Sequence, residues 1–210
     1  MTKKKGIAVL IILSILFFPI LNATLLSQSK WMYQVLVRQA DFMSLSSEEQ
    51  NQIADKIHQG LLYGSSIQVE LDDGSLAFQR HEIIHMKDVA HLLHLLRIIL
   101  WVLVGLIMLT LLLSKPLSRE QYQKTGKGAI IGLVGIALIL LLFFPFFFHY
   151  FHVWSFPNDY WMLNPQTDLL IHLFPQLFFP LSLAWVFALS MLFSYLFWVL
   201  FPRILQWRLK

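Results

Sequence analysis

Four apolar runs, each long enough to cross a hydrocarbon core, leave this chain few ways to fold. They cover roughly residues 6–26, 92–113, 129–148 and a last stretch from 169 or 174 to 201. At 1.5 Å per helical residue, about 20 residues span the roughly 30 Å apolar interior of a bilayer, where every backbone N–H and C=O needs a partner within the chain. Helices meet that demand, so an integral membrane protein is expected. Composition agrees: 57% of the residues are hydrophobic and 13% charged, against about 25% charged in an ordinary soluble domain. The absence of Cys excludes disulfides, thiolate nucleophiles, iron–sulfur clusters and Cys-ligated zinc. A net charge of +4 does not point to nucleic acid, because the basic residues flank apolar segments where membrane topology accounts for them.

The first run follows Lys3, Lys4 and Lys5. A cleaved signal peptide would share that charged start, but the run is long for one, and an uncleaved helix with a cytoplasmic N-terminus is expected. Residues 27–89 form the one stretch of soluble character. Ser46 and Glu49 have capping-box spacing, and Ile53, Ile57, Leu61 and Leu62 recur at helical intervals up to Gly64, which predicts one amphipathic helix. Residues 66–71 alternate at period two, Asp73-Gly74 supplies a turn, and residues 75–79 return as a partner strand. The expected fold is an all-α polytopic membrane protein with four transmembrane helices and a small α+β extracytoplasmic cap between helices 1 and 2. Its parts are a first helix at 1–27, the cap at 28–90, and helices 2 to 4 within 91–210, with a cytoplasmic loop at 115–127 and an outer loop at 149–168.

Basic residues set the orientation. Of sixteen Lys and Arg, ten lie at the N-terminus (Lys3, Lys4, Lys5), in the middle loop (Lys115, Arg119, Lys124, Lys127) and in the C-terminal tail (Arg203, Arg208, Lys210). With four spans these fall on one side, which the positive-inside rule makes cytoplasmic. The expected location is a bacterial cell membrane, multi-pass, with both termini cytoplasmic and the cap facing outward. All eight histidines, His58, His81, His85, His91, His94, His149, His152 and His172, then sit in the cap or at the outer ends of the spans. Imidazole exchanges protons near neutrality, so acid–base chemistry is expected at the outer leaflet. The plainer account is that His, like Trp and Tyr, is tolerated at headgroup depth.

Two blocks carry candidate chemistry. In the first, His81-Glu82-Ile83-Ile84-His85 is a literal H-E-x-x-H, with His91 at third-ligand spacing and Asp88 where a glycine is expected. A membrane-anchored zinc metallopeptidase is therefore the alternative reading. It is weakened because Asp88-Val89 gives no sign of the glycine turn, and a straight helix leaves His91 about 80° from His81 around the axis. The second block, residues 148–168, is crowded with aromatics. Most of these rings suit an interfacial belt, but a belt has no need of His152, Asn158, Asp159 and Asp168, and polar groups at this depth are costly without partners or a task. A non-enzymatic module whose cap binds a partner leaves the two polar blocks unexplained.

Taken together, the blocks resemble a known family. Glu82-x-x-His85-Met86-x-Asp88-Val89 stands before the second span. Phe151-His152 follows the third, and then comes Phe156-x-Asn158-Asp159-x-Trp161-x-Leu163-x-Pro165-x-Thr167-Asp168-Leu169-Leu170-Ile171-x-x-Phe174-Pro175-x-x-Phe178-Phe179. This pattern, over nearly the whole chain, is similar to the bacterial lipoprotein intramolecular transacylases. The resemblance implies two catalytic histidines at the junction of cap and membrane: His85, and His152, with His149 as the alternative register for the second. His81 lies outside the family pattern. The implied reaction moves the sn-2 acyl chain of a diacylglyceryl lipoprotein to the α-amino group of its N-terminal cysteine, giving the lyso-form, with no cofactor and no metal. The implied partners are the diacylated lipoprotein in the outer leaflet and membrane lipid. On this reading His85 is the base toward the amine and His152 the donor to the leaving glyceryl oxygen, with the reverse assignment open. Asp88 or Asp168 orients an imidazole, Glu82 and Asn158 are candidate positioning residues, and Trp161, Phe156 and Trp154 are candidate walls that fold the lipid back on itself.

Overall fold

The computed structural model describes residues 2–40, 45–114 and 117–200. Lys115, Arg203, Arg208, Lys210 and Phe201 lie outside the described residues. The chain divides into two compact units: the described residues of Met1–Ala23, Arg97–Phe143 and Ser182–Lys210 form one, and Thr24–Leu96 with Phe144–Leu181 the other. Among the described residues four helices are long and apolar enough to cross a membrane, Lys3–Ser27, Arg80–Leu113, Arg119–Leu142 and Phe178–Leu200.

The first unit is held together by close helix contact. Helix α1 (Lys3–Ser27) meets α5 (Arg119–Leu142) where α5 carries glycine. A Cβ on Gly128 would stand 2.6 Å from Ile11 Cδ1, and one on Gly132 would collide with Ile15 Cδ1. Gly126 makes the same accommodation for Trp198 and Val199, which belong to a π-helical turn, Leu196–Leu200, that continues α8 (Phe178–Tyr195). Among apolar helices in lipid such contact supplies the association energy that hydrophobic burial cannot. Two polar pins add to it: Asn22 Nδ2 donates to Ser190 Oγ over 3.1 Å and Trp198 Nε1 to Ser14 Oγ over 2.9 Å. The outer surface is apolar, with Trp101, Ile131 and Leu142 more than 70% exposed, as lipid contact requires.

The second unit has its own core of Tyr33, Val37, Ile53, Ile57, Phe78, Leu170 and their neighbours. Helix α3 (Ser47–Tyr63) begins at the expected capping box, with Ser46 Oγ accepting from Glu49 N–H and Glu49 accepting from Ser46 N–H, and ends on Gly64 at φ +69°. Beside this one cap helix expected from sequence, a second, α2 (Lys30–Gln39), packs on it through Tyr33 and Val37. Its start is set by Ser29, whose hydroxyl accepts from Met32 N–H.

The expected α+β character of the cap is corrected: among the described residues there is no strand. Residues 66–79 do double back, but with a single antiparallel bridge between Glu70 and Leu76. The reason lies in Gln68. Its carboxamide donates to Phe78 C=O and accepts from Phe78 N–H, so a side chain replaces the backbone rung that would have extended a ladder. The turn is fastened to α3, since Asp72 N–H donates to Glu49 over 2.9 Å.

Other boundaries shift for identifiable reasons. Helix α4 is continuous from Arg80 to Leu113; at 1.5 Å per residue its 34 residues exceed the roughly 30 Å of a hydrocarbon core by about 20 Å. The expected span at 129–148 stops at Leu142, because Pro145 has no N–H to continue the ladder, and α6 (Phe144–Ser155) starts anew. Most of the expected loop at 115–127 is already helical, α5 being capped by Ser118 and Gln121. The last long helix begins at Phe178, after α7 (Leu170–Leu173) and Pro175.

Glycine packing gives a direct test. Gly126→Ala places a Cβ 2.9 Å from Trp198 Cβ, an atom that cannot swing aside. It is expected to lower the thermal unfolding midpoint, at a cost of about 1–3 kcal/mol. Gly135→Ala, with nothing within 4 Å, is expected to be neutral or stabilising, by up to about 1 kcal/mol. Intrinsic tryptophan fluorescence during heating in detergent checks both.

Candidate active site

The site lies within the second unit, between the first turns of α4 and the segment from α6 to α7. His85 and His152 come together there, their ring centroids 6.2 Å apart. Phe156, itself buried, makes an edge contact with His85 at 5.0 Å and lies 5.5 Å from His152. Trp161 covers the other side of His152 at 5.0 Å. The two histidines come from helices far apart in the chain, so their meeting is a tertiary event.

His152 is buried and its tautomer is fixed. Its Nδ1 lies 2.6 Å from Phe148 C=O, one turn back on α6. A carbonyl only accepts, so Nδ1 carries the proton and Nε2 carries the lone pair. Burial holds this imidazole below the ordinary histidine range; the Phe148 bond opposes that shift and His149 adds to it. The ring is therefore a neutral acceptor at pH 7. His85 differs: its Nδ1 is buried and has no hydrogen-bond partner among the described residues.

The acidic residues tie the loop to α4. Asn158 Nδ2 donates to Asp88 Oδ2 over 2.9 Å. Glu82, fully buried, accepts from Gln79 N–H at 2.6 Å and from Leu170 N–H at 2.8 Å. Asp168, also buried, accepts from His81 Nε2 at 2.8 Å, from Asn164 N–H at 2.7 Å and from the Thr167 hydroxyl at 2.7 Å. Burial disfavours its charge, but those bonds outweigh burial and hold its carboxyl below the ordinary range.

Several expected placements change accordingly. Asp168 orients His81, not either of the paired imidazoles, and Asp88 holds Asn158. His81, left outside the family pattern by sequence, has a partner of its own. Trp154 is 82% exposed and packs on Tyr150, away from both histidines. His149 contacts Trp161 at 5.7 Å and is exposed, whereas His152 is the ring facing His85. The H-E-x-x-H arrangement is spent on structure: both Glu82 oxygens hold backbone N–H groups, His81 is turned to Asp168, and α4 runs through Asp88 without the bend that would bring His91 round. No set of three or more His, Asp or Glu side chains among the described residues is arranged to hold a metal.

Comparison with known proteins decides the family. The family profile of the lipoprotein intramolecular transacylase Lit matches residues 6–179. The chain belongs to the lipoprotein intramolecular transacylases. It is thus an enzyme and a membrane-integral acyltransferase. A search of curated proteins gives no match. Among solved structures, the in meso structure of the membrane-integral transacylase Lit from Bacillus cereus matches with a TM-score of 0.67 at 19% identity, covering 99% of this chain and 98% of that one. A His-to-Ala mutant of the Bacillus cereus protein matches with a TM-score of 0.70 at 19% identity, over 99% and 96% of the two chains. A His-to-Arg mutant gives 0.69 at 21%, over 98% and 92%. These structural likenesses establish a shared fold.

The Asp88–Asn158 bond is expected to act as one unit in this transacylase. Asp88→Ala and Asn158→Ala should each slow turnover, while the double variant should be little worse than either single one. The cycle is expected to give a coupling of about 0.5–3 kcal/mol in kcat/KM, measured with a diacylated lipopeptide; additive losses would show that the bond does not position the loop.

Proposed function

We propose that this transacylase moves the sn-2 acyl chain of a diacylglyceryl lipoprotein onto the α-amino group of its N-terminal cysteine, using His152 as base and His85 as its partner. The observation that carries this reading is the pairing of two imidazoles, a buried one with its lone pair fixed on Nε2 and a half-buried one with an unpartnered buried nitrogen. It favours the reverse of the assignment made from sequence, in which His85 was the base.

In this mechanism the amine nitrogen attacks the ester carbonyl carbon. His152 Nε2 takes the proton that the nitrogen sheds, the C–N bond forms, and the C–O bond to glycerol breaks. The glyceryl oxygen leaves with a proton returned by an imidazole, and the product carries an N-acyl group and a free 2-hydroxyl. His85, through a ring N–H, stabilises the charge on the former carbonyl oxygen or protonates the leaving oxygen. Ester and amide interchange without an energy source, so the burden is geometric. Holding the amine against its own lipid is worth roughly 7–11 kcal/mol of barrier, and Phe156 and Trp161 are the walls that do so. Positive-inside topology supports placing the termini in the cytoplasm and this site at the outer leaflet, where a lipoprotein's diacylglyceryl anchor and α-amine lie at headgroup depth.

The test uses purified protein, a synthetic diacylglyceryl lipopeptide, excess chelator and tandem mass spectrometry, since transfer leaves the intact mass unchanged. An acyl group is expected on the N-terminal amine. His152→Ala and His85→Ala are each expected to lower kcat by about 10²–10⁴ with the helical circular dichroism retained; a fully active variant at either position would defeat the assignment. Cleavage of the peptide chain, or dependence on restored zinc, would return the metallopeptidase.

The pH profile carries a second expectation. The substrate amine, with a pKa near 8, must be neutral, so log kcat/KM should rise with slope one between about pH 6.5 and 8. His152, held below the ordinary histidine value of about 6.5, becomes protonated only in more acid solution. The slope should therefore still be one at pH 6.5 and steepen to two only in more acid solution; a break at or above 6.5 would rule out a depressed His152 as base.

A further inference from the structure

We propose that a cleft on the face of α4 turned away from His85 binds the phosphate headgroup of an anionic membrane phospholipid. The cleft has a volume of about 520 Å³, and its walls include Gln68, Leu76, Arg80, Ile83, Ile84 and Lys87. At 100° per residue, Arg80, Ile83, Ile84 and Lys87 fall in one sector about 100° wide, and His85 points about 140° from Arg80. The cleft and the imidazole pair are therefore on different sides of the same helix, and the proposal does not depend on the roles assigned to His85 and His152.

Charge selects the occupant. Arg80 and Lys87 are exposed, neither is ion-paired with a described residue, and no carboxylate lines the cleft. The two cations stand about 10 Å apart along the axis, a separation that their long side chains can close around one phosphodiester. Apolar groups lie between and above them, Leu76 being 57% exposed. One and two turns beyond Lys87 the same face carries the exposed His91 and His94, and then Leu95, which is 50% exposed. Cations, then imidazoles, then aliphatic side chains follow the order of phosphate, glycerol ester and acyl chain in a phospholipid. An acidic peptide would match the cations and leave the apolar continuation without a partner.

Native mass spectrometry of the full chain in detergent tests this, with phosphatidylglycerol and phosphatidylcholine of identical acyl chains as probes. The wild type is expected to retain phosphatidylglycerol about thirtyfold more readily, the scale that two basic side chains give against an anionic headgroup. Arg80→Gln with Lys87→Gln should abolish the preference, Lys87→Gln alone should reduce it, and Arg80→Lys with Lys87→Arg should keep it, each with wild-type helical circular dichroism. Equal retention of the two lipids by the wild type would overturn the proposal, as would an unchanged preference in the double Gln variant. Displacement of bound phosphatidylglycerol by an equimolar acidic peptide or by soluble glycerol phosphate would also overturn it, reassigning the cleft to a soluble anion.

Discussion

A buried carboxylate with two backbone partners organises the unit that holds the paired imidazoles. Glu82 is fully inaccessible, and an unpaired charge there would be strongly destabilising. Both oxygens are satisfied, one by the N–H that opens α4 and one by the N–H of Leu170, 88 positions further along the chain. Charge-assisted bonds to backbone donors are short and directional, so this one side chain caps a helix and fixes the far end of the aromatic segment against it. Two neighbouring ties act in the same sense: His81 with Asp168, and Asp88 with Asn158. All three anchor points on α4 lie within its first three turns, so the segment from Phe156 to Leu170 is held along its length. His85 sits in the midst of those anchors.

Rigidity of this kind suits a reaction whose difficulty is arrangement. Acyl transfer from ester to amine needs proton acceptance, charge stabilisation and proton return, and two imidazoles can supply all three. In the proposed mechanism a floppy diacylglyceryl group must be folded so that its own amine meets its own ester, and the Phe156 and Trp161 rings that pack against His85 and His152 would give that fold its boundary. The bond from His152 to Phe148 matters as much as the burial. It turns a ring with two possible proton positions into one with a defined acceptor, which proximity to His85 alone would not do.

The H-E-x-x-H spacing shows how one local pattern serves two ends. Four-residue spacing places His81 and His85 on one helical face, and the missing glycine turn at Asp88-Val89 weakens a metal pair without saying what else the two residues do. The decision is made by Asp168 and Leu170, which arrive from the other end of the unit to engage His81 and Glu82. The hairpin misled for a related reason. Alternation over residues 66–71 is a sound local signal for a strand, but Gln68 spends its side chain on Phe78 and leaves one bridge where a ladder was expected. Helix α2 was legible in principle, from Ser29 as cap and Tyr33 and Val37 at one-turn spacing, but it lies in a stretch with no long apolar run to announce it.

By itself the sequence determined the membrane class, four membrane-long helices, the capped helix from Ser47 and the two polar blocks that carry the family pattern. Hydropathy, capping and spacing act over a few residues, so they survive in the linear text. Only tertiary structure decided that His152 and not His149 faces His85, that Asp168 serves His81, that Trp154 points outward, and that the proton of His152 lies on Nδ1. Each of those depends on which distant segment fills a neighbouring space, and burial energy and hydrogen-bond satisfaction settle that over the whole packed unit at once.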